Sequence, residues 1–110
     1  MVVSQNDNAK GLYGWEAIEF IKQYFAQNLP SAELVFENAD SGYWCIKYYY
    51  QGAYITLDSD RGSLHGSITI DNKEFPLWQF DRVVNSAMWS DDKSMLIVLK
   101  TVKRFFESKT

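Results

Sequence analysis

The fold of this chain is constrained most by the stretch 43–70, which reads YWCIKYYYQGAYITLDSDRGSLHGSITI. Two short turn sequences, Gln51-Gly52 and Arg61-Gly62, separate three runs that are rich in β-branched and aromatic residues. Glycine readily adopts the positive φ angle that a tight hairpin turn requires. The stretch therefore predicts three consecutive antiparallel strands.

The positions of the two turns also predict which residues lie opposite one another. Side chains alternate between the faces of a strand, so Tyr48 would face Ile55, and Ile55 would face Ile68. A slip of one residue would move these apolar side chains to the other face, so the register is well specified. We expect one buried face and one exposed face. The predicted pairs on the exposed face are Tyr49 with Tyr54, Lys47 with Thr56, Cys45 with Asp58, and Asp58 with His65.

Two amphipathic helices are predicted on either side of the strands. Residues 15–28 carry apolar side chains at helical spacing, and Pro30 prevents continuation of this helix. Ser90 is a suitable N-cap for a second, longer helix, which has a similar stripe. The stripes are Ala17, Ile18, Ile21, Tyr24, Phe25 and Leu29 in the first helix, and Met95, Val98, Leu99, Val102, Phe105 and Phe106 in the second.

A further strand is predicted over 32–37, before a loop over 38–42 that is rich in turn-forming residues. If Glu37 pairs with Tyr43, the buried face gains Phe36 and Leu34. Their expected partners are Trp44 for Phe36 and Ile46 for Leu34, while Glu33 would face Lys47 on the exposed face.

Residues 75–80, which follow a predicted turn over 71–74, admit two interpretations. As an edge strand, the segment places Phe75 and Leu77 on the buried face, with Phe75 opposite Ile70 and Leu77 opposite Ile68. Pro76 is tolerated because the strand is at the edge. Asp81 would then cap a short helix that reaches residue 88. The alternative is a helix that begins at Pro76, since proline suits a first helical turn. We favour the strand.

Together these elements predict an α+β fold. It has two layers, with an antiparallel meander of four or five strands and the N-terminal and long C-terminal helices packed on one face. The chain has 110 residues, of which 46% are hydrophobic, as expected for one domain with a real core. We expect a flexible N-terminal segment over 1–10 and a single domain over 11–110.

Charge and composition narrow the classes of partner. The net charge is −3, whereas binding to nucleic acid or to an anionic membrane requires a basic surface, so we expect neither. The single cysteine allows no internal disulfide, and no run approaches the ~18 apolar residues of a membrane span. The N-terminus lacks the features of a signal peptide, so we expect a cytoplasmic protein.

The predicted register brings Cys45, Asp58 and His65 into one row across three strands. These residue types could form a Cys-His-Asp hydrolase site, but the imidazole must then be the middle member, and here Asp58 is. The row offers only three candidate ligands without metal-site spacing, so we expect no metal and no cofactor. The simpler interpretation is an exposed Asp–His pair beside a half-buried thiol.

Aromatic side chains are the second candidate for a function. Exposed aromatic patches often mark protein interfaces, although cross-strand aromatic pairs also stabilise sheets. The predicted patch on the exposed face comprises Tyr43, Tyr49, Tyr54, Trp78 and Phe80.

We therefore predict a small protein-interaction module whose partner is another protein. Its size and acidic charge resemble those of bacterial immunity proteins and secretion chaperones, in general character only. The alternatives are a small-ligand-binding domain with a pocket between sheet and helices, and, less favoured, an enzyme that uses Asp58 and His65 as an acid–base pair. Self-association to a homodimer through an edge strand is also compatible with the sequence.

Overall fold

The computed structural model describes residues 9–85 and 88–108 and confirms the predicted α+β fold. Five antiparallel strands form one sheet in the order β1-β2-β3-β4-β5. The elements are α1 (Trp15–Asn28), β1 (Glu33–Asp40), β2 (Tyr43–Tyr50), β3 (Ala53–Asp60), β4 (Ser63–Ile70), β5 (Lys73–Pro76), α2 (Leu77–Phe80) and α3 (Asp92–Glu107).

The central strands have the predicted register. Tyr48 lies opposite Ile55, and Ile55 lies opposite Ile68, so the apolar side chains of β2, β3 and β4 share one face. Gln51 and Gly52 connect β2 to β3 with φ angles of 50° and 83°. Positive φ at both central residues is the conformation whose twist matches that of the flanking strands. Turn chemistry and alternation thus specified this part of the sheet.

Helices α1 and α3 pack on one face of the sheet and form the core with it. The predicted helical stripes are buried, except that Tyr24 and Phe105 are only partly buried. Between α1 and β2, the rings of Phe25 and Tyr48 stack with 3.8 Å between centroids. The largest fully buried side chains are Trp44, Phe25, Ile18, Ile21, Ile46, Ile55, Leu57, Ile68, Leu77, Met95, Leu99 and Val98.

The predicted pairing of β1 with β2 is wrong. Strand β1 continues to Asp40, which pairs with Tyr43, so the connection has two residues instead of five. Phe36 consequently lies opposite Lys47 on the exposed face, and not opposite Trp44 in the core. Ala39 takes the position opposite Trp44. The turn-forming residues of 38–40 are extended because they complete the backbone ladder with β2.

A β-bulge between Leu34 and Phe36 shifts the register once more. Leu34 pairs with Tyr48, and Glu33 pairs with Tyr49, so neither has the partner that the sequence predicts. The extra residue returns Leu34 to the helix-facing side, where it lines a groove with side chains of α1. Packing against α1 therefore decides the position of this edge strand.

The segment 75–80 is helical over its last four residues, so the favoured edge-strand interpretation is wrong there. Strand β5 ends at Pro76, and Phe75 faces Ile68 instead of the predicted Ile70. Leu77 begins α2 and is buried against the sheet. A Cβ atom on Gly66 would lie 2.7 Å from Leu77 Cδ1, so the absence of a side chain at Gly66 makes room for Leu77.

The connection from α2 to α3 also differs from the prediction. Asp81 accepts a hydrogen bond from the Val83 amide at 3.0 Å, but residues 81–85 form turns and not a helix. Asp91, not Ser90, is the N-cap of α3, and its side chain accepts from the Ser94 amide at 2.7 Å. Ser90 is buried instead. Its hydroxyl accepts from Trp44 Nε1 at 3.0 Å and donates to the Leu12 carbonyl at 2.5 Å.

Most of the predicted flexible segment 1–10 lies outside the described residues. Lys10 is described, and its amide donates to Asp92 Oδ1 at 2.9 Å. Its carbonyl accepts from the Asp92 amide, also at 2.9 Å. These two bonds attach the start of the described chain to the first turn of α3. No helix in the described ranges has the length and apolar character needed to cross a membrane.

Candidate functional site

The face of the sheet opposite α1 and α3 is the candidate site, and we call it the open face. In residues 9–85 and 88–108, both long helices pack against the other side. Four aromatic side chains project from the open face with substantial exposure. They are Phe36 at 49%, Tyr43 at 39%, Tyr49 at 39% and Tyr54 at 44%.

Contacts within the sheet hold some of these rings in place. Tyr49 and Tyr54 are directly opposite each other on β2 and β3, with 5.0 Å between ring centroids and a tilt of 57°. The ammonium group of Lys47 lies 5.9 Å from the Tyr54 ring centroid, within cation–π range. These contacts restrict the rotamers of both tyrosines, which nevertheless remain accessible. A partner that contacts the two rings would therefore cause little further loss of side-chain entropy.

Two of the five predicted aromatic residues do not project from strands of the open face, because they lie in α2. Phe80, in α2, packs edge-to-face on Phe105 of α3 with 5.3 Å between ring centroids. Trp78, also in α2, lines a cavity with Asp58 and His65, which are on the open-face side of β3 and β4. Both were misplaced because the sequence prediction continued β5 through a segment that is helical.

Phe36 is the aromatic residue on the open face that the sequence analysis missed. The five-residue loop predicted over 38–42 assigned it to the core. A two-residue turn at Ser41-Gly42 would have placed Phe36 opposite Lys47, as observed. The available signal was Gly42, which has a φ angle of 72° and could have served a short turn as well as a long one.

The predicted polar row is present, with Cys45, Asp58 and His65 opposite one another on β2, β3 and β4. His65 Nδ1 lies 3.3 Å from Asp58 Oδ1. Burial raises the pKa of Asp58, an effect that His65 only partly offsets. Burial also raises the pKa of Cys45, which keeps the thiol protonated at neutral pH. Because Asp58 lies between the thiol and the imidazole, the row lacks the arrangement that activates a cysteine nucleophile.

Negative charge surrounds the aromatic side chains. By register, five carboxylates lie on the open face or at its ends in the described part of the chain. The basic side chains there include Lys47 on the face and Arg61 at the β3–β4 turn, whose Nε lies 4.0 Å from Asp60 Oδ1. The electrostatic character of the face is therefore acidic. These carboxylates belong to Glu33, Asp40, Asp58, Asp60 and Glu74.

The described residues offer no obvious metal centre. Nowhere in these ranges do three or more His, Cys, Asp or Glu side chains form a group that could hold a metal ion. The open face is thus a surface of exposed aromatic and acidic groups.

Comparisons of this chain with protein-family models, with curated proteins and with solved structures give no match.

Proposed function

We propose that this protein is a small interaction module that binds a cationic protein partner through the open face of its sheet. The observation that carries the proposal is the set of four accessible aromatic side chains on the side of the sheet opposite the helices. A cytoplasmic location, expected from the sequence, is part of the same proposal.

The aromatic side chains supply the attractive surface. Tyrosine and phenylalanine present large apolar areas with few rotatable bonds, and buried aromatic side chains often dominate interface energetics. Tyr49 and Tyr54 form a pair near the β2–β3 turn, Phe36 lies on the neighbouring strand β1, and Tyr43 lies at the other end of β2. A partner that covers these rings would remove exposed apolar surface from water.

The carboxylates indicate the charge of the partner. Glu33 lies opposite Tyr49, and Asp60 lies opposite Tyr43 at the other end of β2, so a basic protein surface would complement carboxylates at both ends of the face. A nucleic acid would be repelled by the same groups, because its phosphates are also negative. A second copy of the chain would bring like charges together across a face-to-face contact, so a different, basic protein fits better.

The size of the face is compatible with specific binding. Four eight-residue strands and the four-residue strand β5, about 4.8 Å apart, give the sheet an area of roughly 560 Å². A standard interface buries about 800 Å² on each partner. The partner would therefore cover nearly the whole open face and some of the surrounding loops.

The proposal is tested by capturing partners from a lysate of the native host and measuring binding with the purified partner. We expect the Tyr49→Ala, Tyr54→Ala double variant to raise Kd by at least about 100-fold, since a few buried aromatic contacts carry most of the binding energy in typical interfaces. Added salt should weaken binding by the wild type. Trp15→Ala, in the helical layer, removes a comparably exposed aromatic side chain (54%) and is the matched control.

Circular dichroism and the thermal midpoint show whether each variant is folded. The proposal is supported if the partner is basic, binds with salt-dependent affinity, and is lost only by the open-face variant. A folded double variant that binds the purified partner as tightly as the wild type would overturn it.

A further inference from the structure

A cavity of about 280 Å³ lies beside β4, where the edge of this strand is not fully covered. From Ser67 to Ile70, β4 pairs with β5, which ends at Pro76. At the other end, the Leu64 amide donates to the Met88 carbonyl at 3.0 Å, and Ser63 pairs with Trp89. The cavity opens between these two paired stretches, next to His65 and Gly66.

The cavity has polar groups on the side of the open face. Asp58 and His65 form their 3.3 Å pair there, and the Ser67 hydroxyl donates to Glu74 Oε2 at 2.8 Å. Each carboxylate uses one oxygen in the contact described, and a carboxylate can accept about four hydrogen bonds. Asp58 and Glu74 therefore keep acceptor capacity for a ligand.

Trp78 gives the cavity an aromatic wall. Its side chain is half exposed, and Pro76 and Val84 contribute apolar surface near it. The lining includes two carboxylates but neither lysine nor arginine, within the residues that the structure describes. Arg82 lines a neighbouring groove with Trp78 and does not line this cavity.

The electrostatics of the cavity favour a positively charged occupant. Burial is the largest cause that raises the pKa of Asp58, and the carboxylate of Glu74 raises it further. A cation between these two groups would relieve their repulsion and compensate the burial of Asp58. The volume is several times the ~30 Å³ that one water occupies in the liquid, so an organic cation fits.

We propose that this cavity binds a guanidinium group through Asp58, Glu74 and Trp78. Guanidinium is planar, donates hydrogen bonds in a fork that matches carboxylates, and stacks on aromatic rings. The group could belong to a free small molecule or to an arginine side chain of the partner protein. Only the second source rests on the proposed function.

The test is an NMR titration of the ¹⁵N-labelled full chain with methylguanidinium. Methylurea, which has a similar shape but no charge, is the control ligand. We expect methylguanidinium to give saturable shifts at the Trp78 indole N–H and the His65 amide, and methylurea to give none. The titration should reach about 50 mM, because a single small ion is expected to bind in the millimolar range.

Substitutions of residues that line the cavity show whether methylguanidinium binds there. Glu74→Gln and Asp58→Asn should each raise Kd about tenfold, as expected for the loss of one charged hydrogen-bond partner. Trp78→Leu should also weaken binding. Asp60→Asn removes an open-face carboxylate that does not line the cavity and should leave Kd unchanged.

The outcomes separate this proposal from the proposed function. No saturable shift, or equal shifts with methylurea, would overturn the guanidinium site whatever the partner does. If Glu74→Gln weakens methylguanidinium and the partner in parallel, the occupant is an arginine of the partner. If it weakens methylguanidinium alone, the occupant is a free small cation. Failure of the Tyr49→Ala, Tyr54→Ala experiment would overturn the interaction proposal and leave this result standing.

Discussion

Tyr48 shows how a single side chain connects the two layers of this protein. It projects from β2 toward α1, where its ring stacks on Phe25 at 3.8 Å with an angle of 10° between the planes. Burial raises the pKa of Tyr48 to about 12, and the carboxylates of Glu37 and Glu19 add to this effect. The hydroxyl therefore stays protonated in the folded state over a wider range of pH than in the unfolded chain.

This difference predicts a loss of stability at high pH. The stabilisation from Tyr48 is fully present below its ordinary pKa of about 10 and is lost as the pH rises toward about 12. We expect the free energy of unfolding of the wild type to fall more steeply from pH 10 to pH 12 than that of Tyr48→Phe, which cannot ionise. Urea denaturation at a series of pH values measures both slopes.

Trp15→Phe is a suitable control, because it changes an exposed aromatic side chain that does not ionise. Its alkaline slope should match that of the wild type. Equal slopes for the wild type and Tyr48→Phe would show that Tyr48 ionises as readily in the folded state as in the unfolded chain.

At the scale of the elements, the hairpin turns specify the sheet. Gly52 has a φ angle of 83°, and an added Cβ there would meet no atom within 4 Å. A side chain at this position would therefore cost free energy because of the positive φ angle and not because of contacts with neighbouring atoms. Gly66 is the opposite case, because an added Cβ would lie 2.9 Å from Leu57 Cδ2 and closer still to Leu77.

Two substitutions in the turn between β2 and β3 should change the stability of the protein in opposite directions. Gly52→Ala should destabilise the protein by about 1–2 kcal/mol, the typical cost of the left-handed conformation for a residue with a Cβ. Gln51→Asn should stabilise it by about 0.5 kcal/mol, since Gln51 has a φ angle of 50° and asparagine tolerates this region better. Chemical denaturation of both variants measures the two changes. A Gly52→Ala variant with the same free energy of unfolding as the wild type would contradict this account of the turn.

The predictions from sequence were wrong at the two edges of the sheet, in the register of β1 and in the segment 75–80. In β1, the turn chemistry of 38–42 was compatible with both a long loop and a short turn, and only pairing with Tyr43 distinguishes them. In 75–80, Pro76 suits both an edge strand and a helix start. The helix forms because Leu77 can enter the space beside Gly66. This contact joins residues that are distant in the chain, so the local sequence pattern does not predict it.

For the molecule as a whole, the order of the strands determines where stability is concentrated. Strand β3 is central and pairs on both sides, with β2 and β4, whereas β1 is an edge strand with a bulge. The four-residue strand β5 is the other edge. Ladders in the middle of a sheet open only when much of the structure opens, whereas edges open locally.

Hydrogen exchange should follow this order. We expect the slowest amide exchange in β2 and β3, at rates that match global unfolding, and faster exchange in β5 and at the bulge of β1. Exchange measured by NMR at several denaturant concentrations gives the opening free energy of each amide. Equal protection of β1 and β3 amides from exchange would contradict this expectation. If the open face is the interface, addition of the partner should slow amide exchange in β1.

What the sequence determined by itself is local in origin. Alternation and two-residue turns give the strands from Tyr43 to Ile70, and helical spacing gives α1 and α3, because these patterns act between residues close in the chain. Three of the four open-face aromatic residues follow from the same alternation.

The tertiary structure decided the rest. Phe36 joins the open face because β1 completes its ladder with β2, and Leu34 returns to α1 through a bulge. Trp78 lines a cavity because β5 stops where Leu77 enters the core. Each of these outcomes depends on the fit between distant segments, and the free energy of that packing outweighs weak local preferences at the edges of the sheet.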